Sequence, residues 1–189
     1  PFRGSQINKY SLMMRKLNGK ELIRYSIDAS IASKKISKVI VSSNDEKSLK
    51  ILKKKYLNNK KIIFHKRDES LSLFNTPLNE TLKACIKFVK DKNVNFDYVY
   101  VINTSSPFIS NDDISNSFNI IDFFKLDKVI GVLKQSNNFY SHNGKTLKQI
   151  NDNSFLRLER NEIFTEPGTL SIFNKKKMFK KKLRIGHII

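Results

Sequence analysis

The chain carries a single cysteine, Cys85, in 189 residues. That excludes an internal disulfide framework and a cysteine-built zinc site, and it makes a reducing, cytoplasmic setting the default. The three histidines, His65, His142 and His187, lack metal-ligand spacing. No apolar run approaches the roughly 20 residues that span a membrane. Nothing near the start joins a basic stretch to an apolar core, so no signal peptide is read there. No Pro-, Gly- or Ser-rich linker divides the chain, and no repeat recurs, which leaves one domain over 1–189. The P-loop, GxGxxG, GxSxG and RNP patterns are all missing.

Acidic residues are also scarce. Asp and Glu number 17 against 36 Lys and Arg, for a net charge of +19. Such an excess invites a nucleic-acid reading. Its make-up argues otherwise, because only seven of the 36 are Arg. The lysines are scattered in pairs and triplets (Lys34–Lys35, Lys53–Lys55, Lys60–Lys61, Lys175–Lys177, Lys180–Lys182) at the edges of expected elements. Abundant Lys, Asn and Ile fit a coding bias toward A/T-rich codons and a solvated surface. Nucleic acid is therefore not the expected partner, although the field favours an anionic nucleotide substrate.

Apolar residues make up 39% of the chain, enough for a core. Residues 1–20 read as a loop. Ile23, Ile27 and Ile31 recur at helical spacing and predict a helix over 21–34. The β-branched run 38–43 predicts a buried strand, and Asp45 is placed to cap a helix over 46–57. Residues 62–65 read as a second strand and 67–77 as a polar loop. A helix over 78–91 would turn Leu82, Cys85, Ile86 and Val89 inward. Residues 98–103 read as a third strand, then a helix opened by Asp112 or Asp113 and running to about Phe124, then a strand over 128–133. His142-Asn143-Gly144-Lys145 is a hairpin signal, and 169–173 and 184–189 are late strands. Continuous apolar strands alternating with helices predict a parallel sheet covered on both faces. The expected fold is α/β, three-layer α/β/α and Rossmann-like, with a mostly parallel sheet and a β-hairpin excursion near 134–165.

In such sheets ligands sit at the C-terminal ends of the strands. Four segments bear on that edge. Arg3-Gly4-Ser5 offers a guanidinium and exposed N–H groups that suit a triphosphate if a strand precedes Pro1; otherwise it is a frayed terminus. Asn103-Thr104-Ser105-Ser106-Pro107 offers an amide and hydroxyls that suit a pyrimidine edge or a sugar hydroxyl, or is an ordinary capped strand end. His65-Lys66-Arg67, with the loop carrying Ser70, Ser72, Asn75 and Thr76, closes over a nucleotide or is solvated. Arg157-Leu158-Glu159-Arg160 suits a substrate carboxylate held bidentately, or a surface ion-pair patch. Cys85 reads as a core residue.

In order along the chain, these segments resemble the acylneuraminate cytidylyltransferases, the CMP-sialic acid synthetases. PFRGSQIN followed by RKLNGKELI resembles that family's P-A-R-G-G-S-K-G and L-N-G-K-P-L-I. KVIVSSNDEKSLKILKKK, HKRDESLS, VINTSSPFISNDDI, DKVIGVLK and RLERNEIFTEPGTLSIFNKK resemble its later motifs in sequence order. The resemblance implies transfer of CMP from CTP to an acidic nonulosonic sugar such as N-acetylneuraminate, with release of pyrophosphate, Mg²⁺ as cofactor and a homodimer joined through the β excursion. It implies contact of Arg3, Gly4 and Ser5 with the triphosphate, a nucleotide-side loop bearing Arg67 and Thr76, and Asn103 in place of the family's Gln, with Ser105 beside it. It also implies Arg157 near the acceptor sugar, with Arg3 and Arg157 serving catalysis. A first strand before Pro1 and a C-terminal helix with the metal-binding carboxylates beyond Ile189 are expected on the same ground, so the chain offers no metal ligand. Ser5, Gln6 and Ile7 replace the family's second Gly, Ser and Lys, and its K-N pair falls on Leu12-Met13. These departures motivate a second reading, a non-catalytic binding protein derived from the family. A basic nucleic-acid-binding domain is the third.

Overall fold

The computed structural model describes residues 1–2, 11–135, 137–150, 162–180 and 183–188. Within the segment expected to be a loop it forms a 3-10 turn over Leu12–Met14 and a small hairpin, β1 (Lys16–Leu17) and β2 (Lys20–Glu21). Asn18 and Gly19 supply the turn, both with positive φ (48° and 77°). That is the type I′ requirement, and an Asn-Gly pair meets it at low strain. Met13 and Met14 pack against the core, so the apolar residues at this point have a structural use.

Helix α1 (Leu22–Ala32) follows. It buries Ile23 and Ile27, with Ile31 packed beside them, as its spacing predicts. Its C-terminal carbonyls are met by Lys61, whose Nζ donates to Ile31 O at 2.7 Å and Ser33 O at 2.6 Å. Strand β3 (Val39–Ser43) leads to α2 (Glu46–Lys55), where the Asp45 carboxylate caps Ser48 N–H at 3.1 Å. Strand β4 (Ile62–Lys66) pairs parallel with β3, Val39 opposite Ile62 through Ser43 opposite Lys66. The loop after β4 contains a 3-10 turn over Glu69–Ser72, then α3 (Leu78–Asp91) carries the chain to β5 (Tyr98–Ile102). Helix α4 (Asn111–Phe123) opens with a capping box: Ser110 takes the cap and Asp113 closes it from the third helical position. The cap thus sits at Ser110 rather than at either aspartate, because a hydroxyl there receives the Asp113 N–H while the Asp113 carboxylate reaches back.

Strand β6 (Lys128–Gly131) stops at Val132, whose N–H turns to Ile188 O, and β7 (Leu133–Gln135) starts a separate ladder. The excursion then appears as β8 (Tyr140–His142) and β9 (Leu147–Gln149) around the expected turn, followed by β10 (Ile163–Thr165), which pairs antiparallel with β7. Strands β11 (Leu170–Asn174) and β12 (Ile185–Ile188) close the main sheet, in the order β12-β6-β11-β5. The expected parallel arrangement holds for β3 with β4 and for β6 with β12, but β11 runs antiparallel between β5 and β6. No helix separates β10 from β11, so the chain does not make the crossover that would return it parallel. The architecture is a mixed sheet flanked by helices.

Two cores hold it. Phe2, Ile23, Ile27, Val41, Leu49 and Leu52 form one between β3 and the helices α1 and α2; Ile121, Val129 and Ile172 form the other under α4. Phe64 packs against the first core, so alternation along β4 sends His65 to the opposite face, where it stacks on Phe88 of α3 at 4.3 Å. Helix α3 therefore covers the face opposite α1 and α2.

Candidate active site

The helical crossovers β3-α2-β4 and β4-α3-β5 place the C-terminal ends of these strands on one edge of the sheet. Arg67 stands just past β4 on that edge. Its N–H extends the ladder to Ser43 O at 2.9 Å. Its side chain is buried, 4% exposed. Nη2 donates to the Phe2 carbonyl at 3.1 Å and Nε to Ser72 Oγ at 2.9 Å. Phe2 is itself buried and donates its N–H to Ser42 O at 3.0 Å. One guanidinium thus fastens the segment running into Arg3 and the loop after β4 to the same strand end. Ser72, a partner not singled out from sequence, lies five residues beyond Arg67 among other loop serines, and no pattern distinguishes it.

Thr76 sits in that same loop. Its Oγ1 donates to Ser70 O at 3.0 Å, and Thr81 Oγ1 donates to Leu71 O at 3.2 Å, so the loop is tied to itself and to α3. Beneath it lies a group that sequence reasoning treated only as part of the loop. His65 Nδ1 is 3.1 Å from Ser42 Oγ and 3.7 Å from Cys85 Sγ. Burial lowers the imidazole pKa, the Arg67 charge lowers it further, and Asp68 partly opposes. His65 is thus held neutral under the loop rather than in solvent, and Cys85 is half-buried beside it.

Asn103 and Ser105 follow β5. Asn103 N–H donates to Thr169 O at 2.9 Å, and its Oδ1 accepts Ser105 N–H at 3.0 Å. Ser106 N–H donates to Asn103 O at 3.0 Å, which completes a self-contained turn with both Asn103 and Ser105 exposed. The structure therefore gathers Arg67 and Thr76 on one loop and Asn103 and Ser105 on the next. Arg3, Gly4, Ser5 and Arg157 lie outside the described residues. Among the described residues no cluster of three His, Cys, Asp or Glu side chains suits a metal ion, so the residues present do not fit the implied Mg²⁺. None of the described helices is long and apolar enough to cross a membrane.

The fold recurs in solved structures. The chain superposes on the 4-diphosphocytidyl-2C-methyl-D-erythritol synthase of Anaerococcus prevotii with a TM-score of 0.60 at 17% identity, covering 94% of this chain and 81% of that one. It superposes on a CMP:2-keto-3-deoxy-manno-octonic acid synthetase complexed with CTP with a TM-score of 0.61 at 12% identity, covering 92% and 71%. For the bifunctional IspDF of Campylobacter jejuni the TM-score is 0.62 at 14% identity, covering 98% of this chain and 46% of that larger one. No curated protein matches. The model of the cytidylyltransferase family matches residues 13–180, which is most of the chain. With the Rossmann-like fold and the C-terminal edge described above, that match makes the chain a member of the cytidylyltransferase family, whose reaction uses CTP.

Proposed function

We propose that the protein transfers CMP from CTP to the hydroxyl of an acidic sugar, of the nonulosonic or 3-deoxy-octulosonate kind, and releases pyrophosphate. The observation that carries this reading is the Arg67 clamp. It fixes the chain immediately before Arg3 to the C-terminal edge, where Arg3, Gly4 and Ser5 would meet the triphosphate. In the reaction the acceptor oxygen bonds to the α-phosphorus as the bond to pyrophosphate breaks, and the acceptor proton is released. Arg3 would neutralise charge gathering on the α-phosphate and the departing pyrophosphate. The loops bearing Thr76, Asn103 and Ser105 would hold the nucleoside, and Arg157 the sugar carboxylate. Mg²⁺ would supply further neutralisation in the family's chemistry. No step is assigned through it here, since the described residues form no site for it.

Thermal stability with CTP, UTP, ATP and GTP tests the reading, because a ligand stabilises the folded state according to its affinity. A rise specific to CTP is expected, followed by pyrophosphate release with N-acetylneuraminate or 3-deoxy-manno-octulosonate. An equal rise with every nucleotide would reduce the effect to the positive surface. Release only with methylerythritol phosphate would move the acceptor to the kind named for two of the structural neighbours.

We infer also that the molecule works as a homodimer through the β8–β9 excursion. Tyr140, Leu147 and Ile150 there are 51%, 67% and 62% exposed. Sedimentation is expected to give a dimer that Leu147→Asp converts to monomer. A monomeric parent chain would end the inference.

A further inference from the structure

Between β3 and β5 lies an apolar slot of about 400 Å³. Its two sides are sheet edges. Residues 39–42 line one and residues 98–102 the other. No ladder joins them, because β3 pairs with β4 alone and β5 pairs with β11 alone. The direction of the free backbone groups follows from the known bonds. Val39 N–H and Ser43 O face β4, so alternation sends the N–H and C=O of Ile40, and the N–H of Ser42, toward the slot. Asn103 N–H bonds to Thr169 O and Asp97 O accepts from Lys175, so Tyr98, Tyr100 and Ile102 direct theirs into the slot from the other side. Its floor and roof are apolar: Ile23 and Ile27 of α1 on one face, Leu82, Ile86 and Val89 of α3 on the other. Two unpaired edges facing each other inside a core carry a large desolvation cost.

We propose that this slot is the seat of a further strand, formed by the stretch of the same polypeptide that leads directly into Pro1 and lying parallel to β3. Phe2 already stands in that register, with its N–H on Ser42 O. Stepping back two residues puts the next N–H on Ile40 O and the next C=O on Ser42 N–H; the residues between them face β5. About five residues, the length of β3, fill the slot and join the β3–β4 pair to the four-stranded sheet as one continuous sheet. Helices cover both faces, so the segment must be apolar at successive positions rather than alternating. Ser26 and Ser30 on the α1 side call for small or β-branched residues there. A second copy of the chain is the weaker occupant, because Phe2 already blocks the mouth through which a foreign strand would enter in this register. The strand would deliver the chain to Arg3 from within the sheet, with the Arg67 clamp at its exit.

The lone cysteine is a built-in probe, since Cys85 lines the slot. Three chains are compared: one beginning at Pro1, one with Val-Ile-Ala-Ile-Ile fused directly before Pro1, and one with Asp-Gly-Ser-Asn-Lys in the same place. Thermal midpoint, maleimide labelling of Cys85, and amide exchange at Ile40, Tyr100 and Ile102 are read for each. The apolar extension is expected to raise the midpoint by several degrees and to slow both labelling and exchange by tenfold or more. The polar extension is expected to leave all three unchanged. If the chain beginning at Pro1 does not fold, a cooperative transition restored by the apolar extension alone supports the strand. Equal effects from both extensions, no slowing at Cys85 and Ile40, or protection that grows with protein concentration, the mark of a second copy, would overturn it.

Discussion

The loops after β4 and β5 stand at equivalent points, each leaving the C-terminal end of a strand on the same edge of the sheet, yet they are held by opposite means. The first depends on a long-range contact: Arg67 reaches 65 residues back to Phe2 and is buried in doing so. The second is local, since Asn103 bonds within its own turn and stays exposed. A buried guanidinium raises the cost of any change around it, because each partner loses a charged donor and has no water to replace it. An exposed turn loses little, since water takes over its bonds. The first loop is therefore built for fixed geometry. The second leaves its side chains open to meet a ligand.

Removing the clamp should have the largest effect. Arg67→Met keeps the aliphatic stem but strands the Phe2 carbonyl and Ser72, and the expected loss is about 3 kcal/mol of stability. In a domain of this size that lowers the thermal midpoint by roughly 6–12 °C. CTP-dependent stabilisation should vanish with it, because the segment before Arg3 loses its anchor. If Arg67→Met unfolds at the parent temperature, the clamp holds nothing and the contrast between the loops collapses. Next is the cap that ends the second loop. Ser110→Ala removes the acceptor for Asp113 N–H and should cost about 1 kcal/mol, measured by urea unfolding. That a local cap matters less than the distant clamp is the point under test.

Much of this was legible in the sequence, and the reasons differ by element. The hydrophobic period of 21–34, 46–57 and 78–91 marks α1, α2 and α3, because each buries one stripe against the sheet. The Asp45 cap and the 142–145 hairpin follow from local chemistry that needs no partner. The antiparallel course of β11 is not local: the run Leu170–Asn174 reads alike in either direction, and only its neighbours β5 and β6 decide. The Asn18-Gly19 hairpin has the right turn residues but strands of only two residues, too short for a periodic signal. In the site, the residue types at Arg67 and Asn103 were readable. What was not readable is that one is buried as a clamp and the other exposed in a turn, since burial is a property of what the chain brings from far away.

His65 sharpens the comparison through pH. It lies beneath the first loop, facing Ser42, Cys85 and Phe88, with Arg67 and Asp68 as the charges that act on it. Burial first, and the Arg67 charge second, hold its pKa below the ordinary imidazole value of 6.5. The unfolded chain therefore takes up the proton more readily than the folded one. The stability His65 contributes is complete above pH 6.5 and is lost as pH falls from there through the lowered folded value. His65→Gln should flatten the stability-against-pH curve over that window and leave the plateau above neutrality similar in shape. An unchanged slope would mean that the imidazole is as well hydrated as in the unfolded chain.

The smallest expected effect on stability is at Asn103. Asn103→Ala removes the acceptor for Ser105 N–H in an exposed turn, and water replaces it, so the change should stay within about 0.5 kcal/mol. The same substitution should weaken CTP-dependent stabilisation far more than it weakens the fold, since the amide then no longer faces a pyrimidine or a sugar hydroxyl. Asn103→Asp keeps the turn acceptor but withdraws the amide donor and adds a charge near the nucleotide, so it separates the two roles: it should fold like the parent and bind CTP poorly. If Asn103→Asp binds CTP as the parent does, the amide is only a turn residue. The second loop would then be closed upon itself as fully as the first is closed upon Phe2.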